Sequence, residues 1–151
     1  GLLLLDPASD GRQMPKAMAD GLMEALRTNY DDVVRNHWTS MLENARPDVR
    51  ERVLREVEAV PREVVVGTLA SLLTFDPVTP LSRYRGPVRS VITPLNEGPD
   101  AYHRLVEGMS VVRVEGTGHW LQLDEPAEVN AILDAFVAEV DRRGTPRVAS
   151  R

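Results

Sequence analysis

Three short apolar runs constrain this chain most: Leu2–Leu5, Val88–Thr93 and Ser110–Val114, each separated from the next by stretches of helical spacing. Strands joined through helices run parallel, because a parallel return needs a crossover far longer than a hairpin turn. The first run is closed by Asp6-Pro7 and reads as a strand buried on both faces. Ala8 to Pro15 holds Ser, Asp, Gly and Pro and reads as a loop. Four helical stretches follow. Lys16 to Thr28 puts Met18, Leu22, Ala25 and Leu26 on one face, and Asp31 to Asn44 does the same with Val33, Val34, Trp38, Met41 and Leu42. Pro47 opens the third, with Val49, Val53, Val57 and Val60, and Pro61 opens the fourth, with Val64, Val65, Leu69, Leu72 and Leu73. Pro77 and Pro80 are expected to end this helical region.

Past Pro87 the pattern changes to strand, loop (Pro94 to Pro99), a short helix (Asp100 to Glu107), strand, and the tight turn Glu115-Gly116-Thr117-Gly118-His119. Asp124 is expected to cap a final helix with Pro126 in its first turn. Val129, Ile132, Leu133, Phe136, Val137 and Val140 mark that helix at i, i+3, i+4, i+7, i+8 and i+11. The organisation expected is 1–11 core strand and acid loop, 12–84 helical cap, 85–143 carboxyl-terminal core with the histidine loop and final helix, and 144–151 flexible tail.

Composition excludes little but excludes it firmly. The chain has 151 residues, 42% of them hydrophobic and 27% charged, which is ordinary for a globular domain. A formal charge of −5 argues against nucleic acid and anionic membranes as partners. Without cysteine there is no disulfide, thiolate nucleophile or cysteine-ligated zinc, and the compartment stays open, the cytoplasm being favoured. No apolar run could span a bilayer. The chain opens at Gly1 directly inside an apolar run, and the expectation is a truncated or processed product.

In open parallel sheets, sites form beyond the carboxyl ends of the strands. The three runs end at Asp6, at the Asn96-Glu97 loop and near His119, so parallel pairing brings carboxylates and a histidine to one edge. A carboxylate beside a histidine is the base and orienter of a nucleophilic hydrolase, and an imidazole titrates near working pH. His37 beside Trp38 reads as a surface or satisfied core histidine and His103 on the short helix as a solvated one, and neither has metal-ligand spacing. Trp38, Met41 and Trp120 are the substrate-pocket candidates, against the plainer reading that they are core. Arg50, Glu51, Arg52, Arg55, Glu56 and Glu58 read as a solvated helix face with local ion pairs.

Val114-Glu115-Gly116-Thr117-Gly118-His119-Trp120, followed by Leu123-Asp124-Glu125-Pro126-Ala127-Glu128-Val129-Asn130, resembles the histidine loop of the α/β-hydrolase superfamily. Leu2-Leu3-Leu4-Leu5-Asp6-Pro7 resembles the family strand after the nucleophile helix, and Phe75-Asp76 and Arg85-Gly86-Pro87-Val88 the end of its cap and the return to the core. The resemblance covers nearly the whole chain. It implies an α/β fold, a partial α/β-hydrolase fold with three parallel core strands and an inserted four-helix cap. It implies hydrolysis of ester-like or other small apolar substrates by a Ser-His-Asp mechanism, without metal or organic cofactor, with His119 as the catalytic base. Two departures stand out. No Gly-x-Ser-x-Gly elbow is present, so the nucleophile and the missing amino-terminal half of the fold are expected upstream of Gly1, and the fragment alone is expected to be inactive. The usual acid position falls near Asn96, so the acid is expected to be Asp6, with Glu97 second and Asp100 third. Two alternatives remain: a stand-alone helical ligand-binding or regulatory module, and a non-hydrolytic relative such as a perhydrolase, acyltransferase or C–C hydrolase.

Overall fold

A computed structural model describes residues 1–144. Three strands, β1 (Leu2–Leu5), β2 (Val88–Ile92) and β3 (Ser110–Arg113), form one parallel sheet in the order β1-β2-β3. The register pairs Leu2 with Val88 and Leu5 with Val91, then Arg89 with Ser110 and Ile92 with Arg113. All three carboxyl ends therefore lie along one edge, as the helix-separated runs require. β2 lies in the centre, with Ser90, Val91 and Ile92 fully enclosed. β1 departs from the expectation of burial on both faces: Leu2, Leu3 and Leu4 are half-buried and Leu5 is exposed. The reason is its place at the sheet margin, with a strand on only one side among the described residues.

Between β1 and β2 run α1 (Lys16–Thr28), α2 (Tyr30–Met41), α3 (Pro47–Glu58), α4 (Arg62–Leu72) and α5 (Val78–Arg83). The first four match the expected stretches, and α5 does not. Pro77 and Pro80 start this fifth helix instead of ending the helical region, since Pro77 precedes it and Pro80 sits in its first turn, where no backbone N–H is needed. Asp76 accepts from the Thr79 N–H at 3.1 Å and fixes that start. The loop after β1 contains a 3₁₀ turn, Gly11–Gln13, pinned by Arg12, whose guanidinium bridges buried Asp10 (2.8 Å) and Asp76 (2.8 Å).

After β2 come a 3₁₀ turn (Pro94–Asn96), α6 (Tyr102–Leu105), β3, the single-turn α7 (Leu121–Asp124) and α8 (Pro126–Gly144). Val91, Val114, Leu121 and Val129 form one buried cluster with Leu3 and Ile132 against it. Burying side chains of this size is worth roughly 1.5–3 kcal/mol each. On α8 only Val129 and Phe136 of the apolar stripe are buried, while Leu133 and Val137 stay exposed, because the stripe is wider than three strands cover. A second cluster, Leu42, Val49 and Val53, belongs to the helical insertion, and Trp120 and Leu123 pack into it. Gly144, the expected start of a flexible tail, closes α8; 145–151 lie outside the described residues. Among the described residues no helix is long and apolar enough to cross a membrane.

Candidate active site

Asp6 follows β1 directly and adopts φ +43°, alone among the described non-glycine residues in taking a positive φ. Aspartate and asparagine tolerate this region better than most side chains. The turn sends the chain away from the sheet while Asp6 stays wholly enclosed beside the end of β2. Its N–H donates to Val91 O at 2.6 Å, which continues the β1–β2 ladder. Its Oδ1 accepts from Thr93 N at 2.8 Å, and Thr93 Oγ1 lies 3.1 and 3.0 Å from the two carboxylate oxygens. The Leu5–Val91 register puts Thr93 there, two residues past the partner of Leu5.

His119 comes from the other side of the same edge. Val114 N–H donates to Ile92 O at 2.9 Å, and the turn after β3 passes through Gly116 at φ +71°, a position that suits glycine. His119 Nδ1 then lies 2.8 Å from Asp6 Oδ2. An ionised carboxylate only accepts, so Nδ1 carries the proton and Nε2 is the nitrogen left for proton transfer. The His119 side chain is one quarter exposed and Asp6 not at all. Burial alone would raise the Asp6 pKa and is the strongest single influence on it. The His119 hydrogen bond, the Thr93 N–H, Asn96 and the His119 charge together outweigh it, so the carboxyl lies below the ordinary aspartate range.

The other two candidate acids go elsewhere. Glu97 forms an ion pair with Arg113 at the end of β3, and the Asp100 main-chain O accepts from Asp10 N at 2.9 Å. Among the described residues Asp6 alone of the three hydrogen-bonds His119. Asn96, where the usual acid would fall, puts Nδ2 3.5 Å from Asp6 O.

The aromatic candidates gather around the histidine. Trp120 stands edge-on to His119 with ring centroids 5.0 Å apart, and Trp38 lies 5.6 Å from Trp120. Met41, the last residue of α2, accepts the His119 N–H at its carbonyl, 2.8 Å away. None of the three lines either of two surface grooves of about 540 and 550 Å³. One groove follows α4 from Glu63 to Leu72 and on to Phe75, and the other lies between the 3₁₀ turn at Gly11–Gln13, α1 and the segment from Ala70 to Thr74. His37 is exposed on α2, edge-on to Trp38 at 5.1 Å. His103 departs from the solvated expectation: it is half-buried and its Nδ1 is enclosed without a hydrogen-bond partner. Burial lowers its pKa most, with the neighbouring Arg104 and Arg113 acting in the same direction against Glu97. Among the described residues no group of three or more His, Asp or Glu is placed to hold a metal ion.

Sequence reasoning missed two residues. Thr93 carries no signal in the sequence beyond that of a strand end. Asp124, expected to cap the last helix, ends α7 instead. Its Oδ2 accepts from Gly118 N at 2.9 Å and its Oδ1 from Arg46 N at 2.8 Å. Two backbone donors, one from the adjoining histidine turn and one from the distant start of α3, win the carboxylate away from the nearby helix start.

No family model matches the sequence, and no curated protein matches it. Solved structures do. A protein described as an N-acyl homoserine lactone degrading enzyme superposes with a TM-score of 0.68 at 19% identity, covering 89% of this chain and 56% of its own. A thermophilic esterase superposes with a TM-score of 0.63 at 18% identity, covering 92% of this chain and 57% of its own. The fold is therefore that of part of these two structures, and the chain spans a little over half their length.

Proposed function

We propose that this chain is the carboxyl-terminal part of an α/β-hydrolase that cleaves ester-like or other small apolar acyl substrates. The observation that carries the reading is the 2.8 Å contact between His119 Nδ1 and buried Asp6 at the carboxyl edge of a parallel sheet. In this reading His119 Nε2 takes the proton of a serine hydroxyl as it attacks the acyl carbonyl, then returns it to the leaving group. Asp6 fixes the tautomer and stabilises the imidazolium that forms. The serine and the oxyanion hole come from polypeptide outside these 151 residues, since no Gly-x-Ser-x-Gly elbow lies within them. That polypeptide also covers the open side of β1 and the exposed Leu133 and Val137 of α8. Helices α1–α5 act as the cap, with Trp38, Met41 and Trp120 on the substrate side of His119. One structural neighbour is described as degrading a lactone, which is a cyclic ester, so lactones belong in the substrate panel beside open-chain esters.

The test is hydrolysis of p-nitrophenyl acyl esters and lactones by the longer polypeptide, with labelling of its serine by a fluorophosphonate. Turnover and labelling that both collapse in His119→Ala support the reading. Steady turnover by residues 1–151 alone, abolished by the same substitution, refutes the external nucleophile. The same pair of residues could serve a perhydrolase, an acyltransferase or a C–C hydrolase, and the panel separates these by product. The apolar strip of Val64 and Leu72 on α4 and Phe75 just beyond it favours the second reading, a helical ligand-binding module, for which His119→Ala leaves ligand binding intact.

A further inference from the structure

The turn that carries His119 is held from two sides. Its side chain is tied to the sheet through Asp6, and its backbone is tied to the helical insertion. His119 N–H donates to Met41 O, one of the carbonyls left open at the end of α2. The preceding N–H, of Gly118, donates to Asp124 Oδ2 at 2.9 Å. The same carboxylate accepts at Oδ1 from Arg46 N, the residue just ahead of α3, at 2.8 Å. Arg46 Nη1 returns to Asp124 O at 3.2 Å. Asp124 is only 2% exposed, so these two backbone donors satisfy a charge removed from water. Gly118 leaves no slack: a Cβ there would stand 2.9 Å from Ala45 Cβ and 2.9 Å from Met41 O.

We infer that Asp124 is a positioning residue for His119, a buried clasp joining the histidine turn to the corner between α2 and α3. The inference rests on the reading of His119 as the base. A carboxylate that merely ended α7 would bond its own helix. This one instead holds two backbone amides 72 positions apart in the sequence, one of them adjacent to the base. Displacing that corner therefore displaces His119 from the atom it must deprotonate. A misplacement of about 1 Å costs on the order of 100-fold in rate.

Asp124→Asn in the full polypeptide is the direct test. The amide keeps one acceptor oxygen for two N–H donors and turns its own NH₂ towards the other. The expected result is a kcat lowered about 10- to 100-fold with KM changed less than threefold. The His119 Nδ1 proton resonance should broaden through faster exchange with water, and Asp124→Glu should recover part of the loss. An unchanged kcat together with an unchanged Nδ1 proton overturns the clasp. Native-state hydrogen exchange of the unsubstituted protein tests it without any variant. Gly118, His119 and Arg46 amides should share one opening free energy, because one carboxylate and one helix end hold them. Independent opening of Gly118 and Arg46 overturns the inference. His119→Ala separates the two levels. If it leaves turnover intact, the base assignment fails, while common opening of the three amides still supports the clasp.

Discussion

The loops after β1 and after β2 both offer carboxylates at the same edge of the sheet, yet they put them to different uses. Asp6 sits in the first loop with no exposure, three hydrogen-bond donors around it and His119 among them. Glu97 sits in the second with a third of its side chain in solvent and a half-exposed arginine as partner. Proximity to the strand ends is common to both, and burial with convergent donors distinguishes them. A carboxylate that must orient a base has to be held still, and Asp6 is held by backbone as well as by side chains. The Glu97 carboxylate pairs with the end of one long, flexible side chain, that of Arg113.

The comparison breaks most easily at Asp6. In the proposed full-length enzyme, Asp6→Asn should lower kcat by about 10⁴ while leaving KM nearly unchanged, since it keeps the shape and turns the wrong tautomer of His119 towards the nucleophile. Asparagine also accepts the φ of +43°, so the fold is retained and the loss reads on chemistry. Steady-state kinetics that show a large loss for Glu97→Gln and none for Asp6→Asn would reverse the two loops.

A smaller effect sharpens the contrast through the support of Asp6. Thr93→Val removes the Oγ1 donor and leaves the backbone N–H in place. Hydrogen bonds to charged groups are worth about 1.5–3 kcal/mol, and urea melts should show a destabilisation of that size. Acid behaviour follows with a definite sign. The folded Asp6 pKa is lowered, so the unfolded chain binds the proton more readily and stability rises with pH in this range. Its contribution is complete above the unfolded value, about 3.9, and is lost as pH falls through the lower folded value. Asp10 is shifted in the same direction, chiefly by its hydrogen bond from Arg12, so the difference between Thr93→Val and the parent isolates Asp6. The substitution should move the acid loss to higher pH; coincident acid titration curves for the two proteins would contradict this.

Much of this contrast was legible in the sequence, for physical reasons that differ by residue. Asp6 and His119 could be placed because each follows an apolar run, and parallel strands bring such ends together. Thr93 could not, because its meaning lies in the Leu5–Val91 register, which periodicity does not specify. Asp124 is obscured for a related reason: Asp-Glu-Pro is a good local helix start, and only the folded turn at Gly118 and the tertiary approach of Arg46 redirect the carboxylate. Helix α5 is hidden by its own prolines, since proline ends a helix from its interior but suits its first turn. The stripe of α8 was legible as helix, but the sequence does not say how many strands lie beneath it.

The smallest effect belongs to the second loop. Glu97→Gln removes the charge opposite Arg113, and both side chains meet water. Exposed pairs contribute roughly 0–1 kcal/mol, because solvent screens the attraction and ordering two long side chains opposes it. Thermal melts should therefore shift by less than about 4 °C. The shift should shrink further in high salt, where screening already weakens the parent pair. Turnover should stay within twofold of the parent. A salt-independent loss of stability would mean that Glu97 is bound more tightly than a surface pair. The second loop would then support the site mechanically, even though its carboxylate never reaches His119.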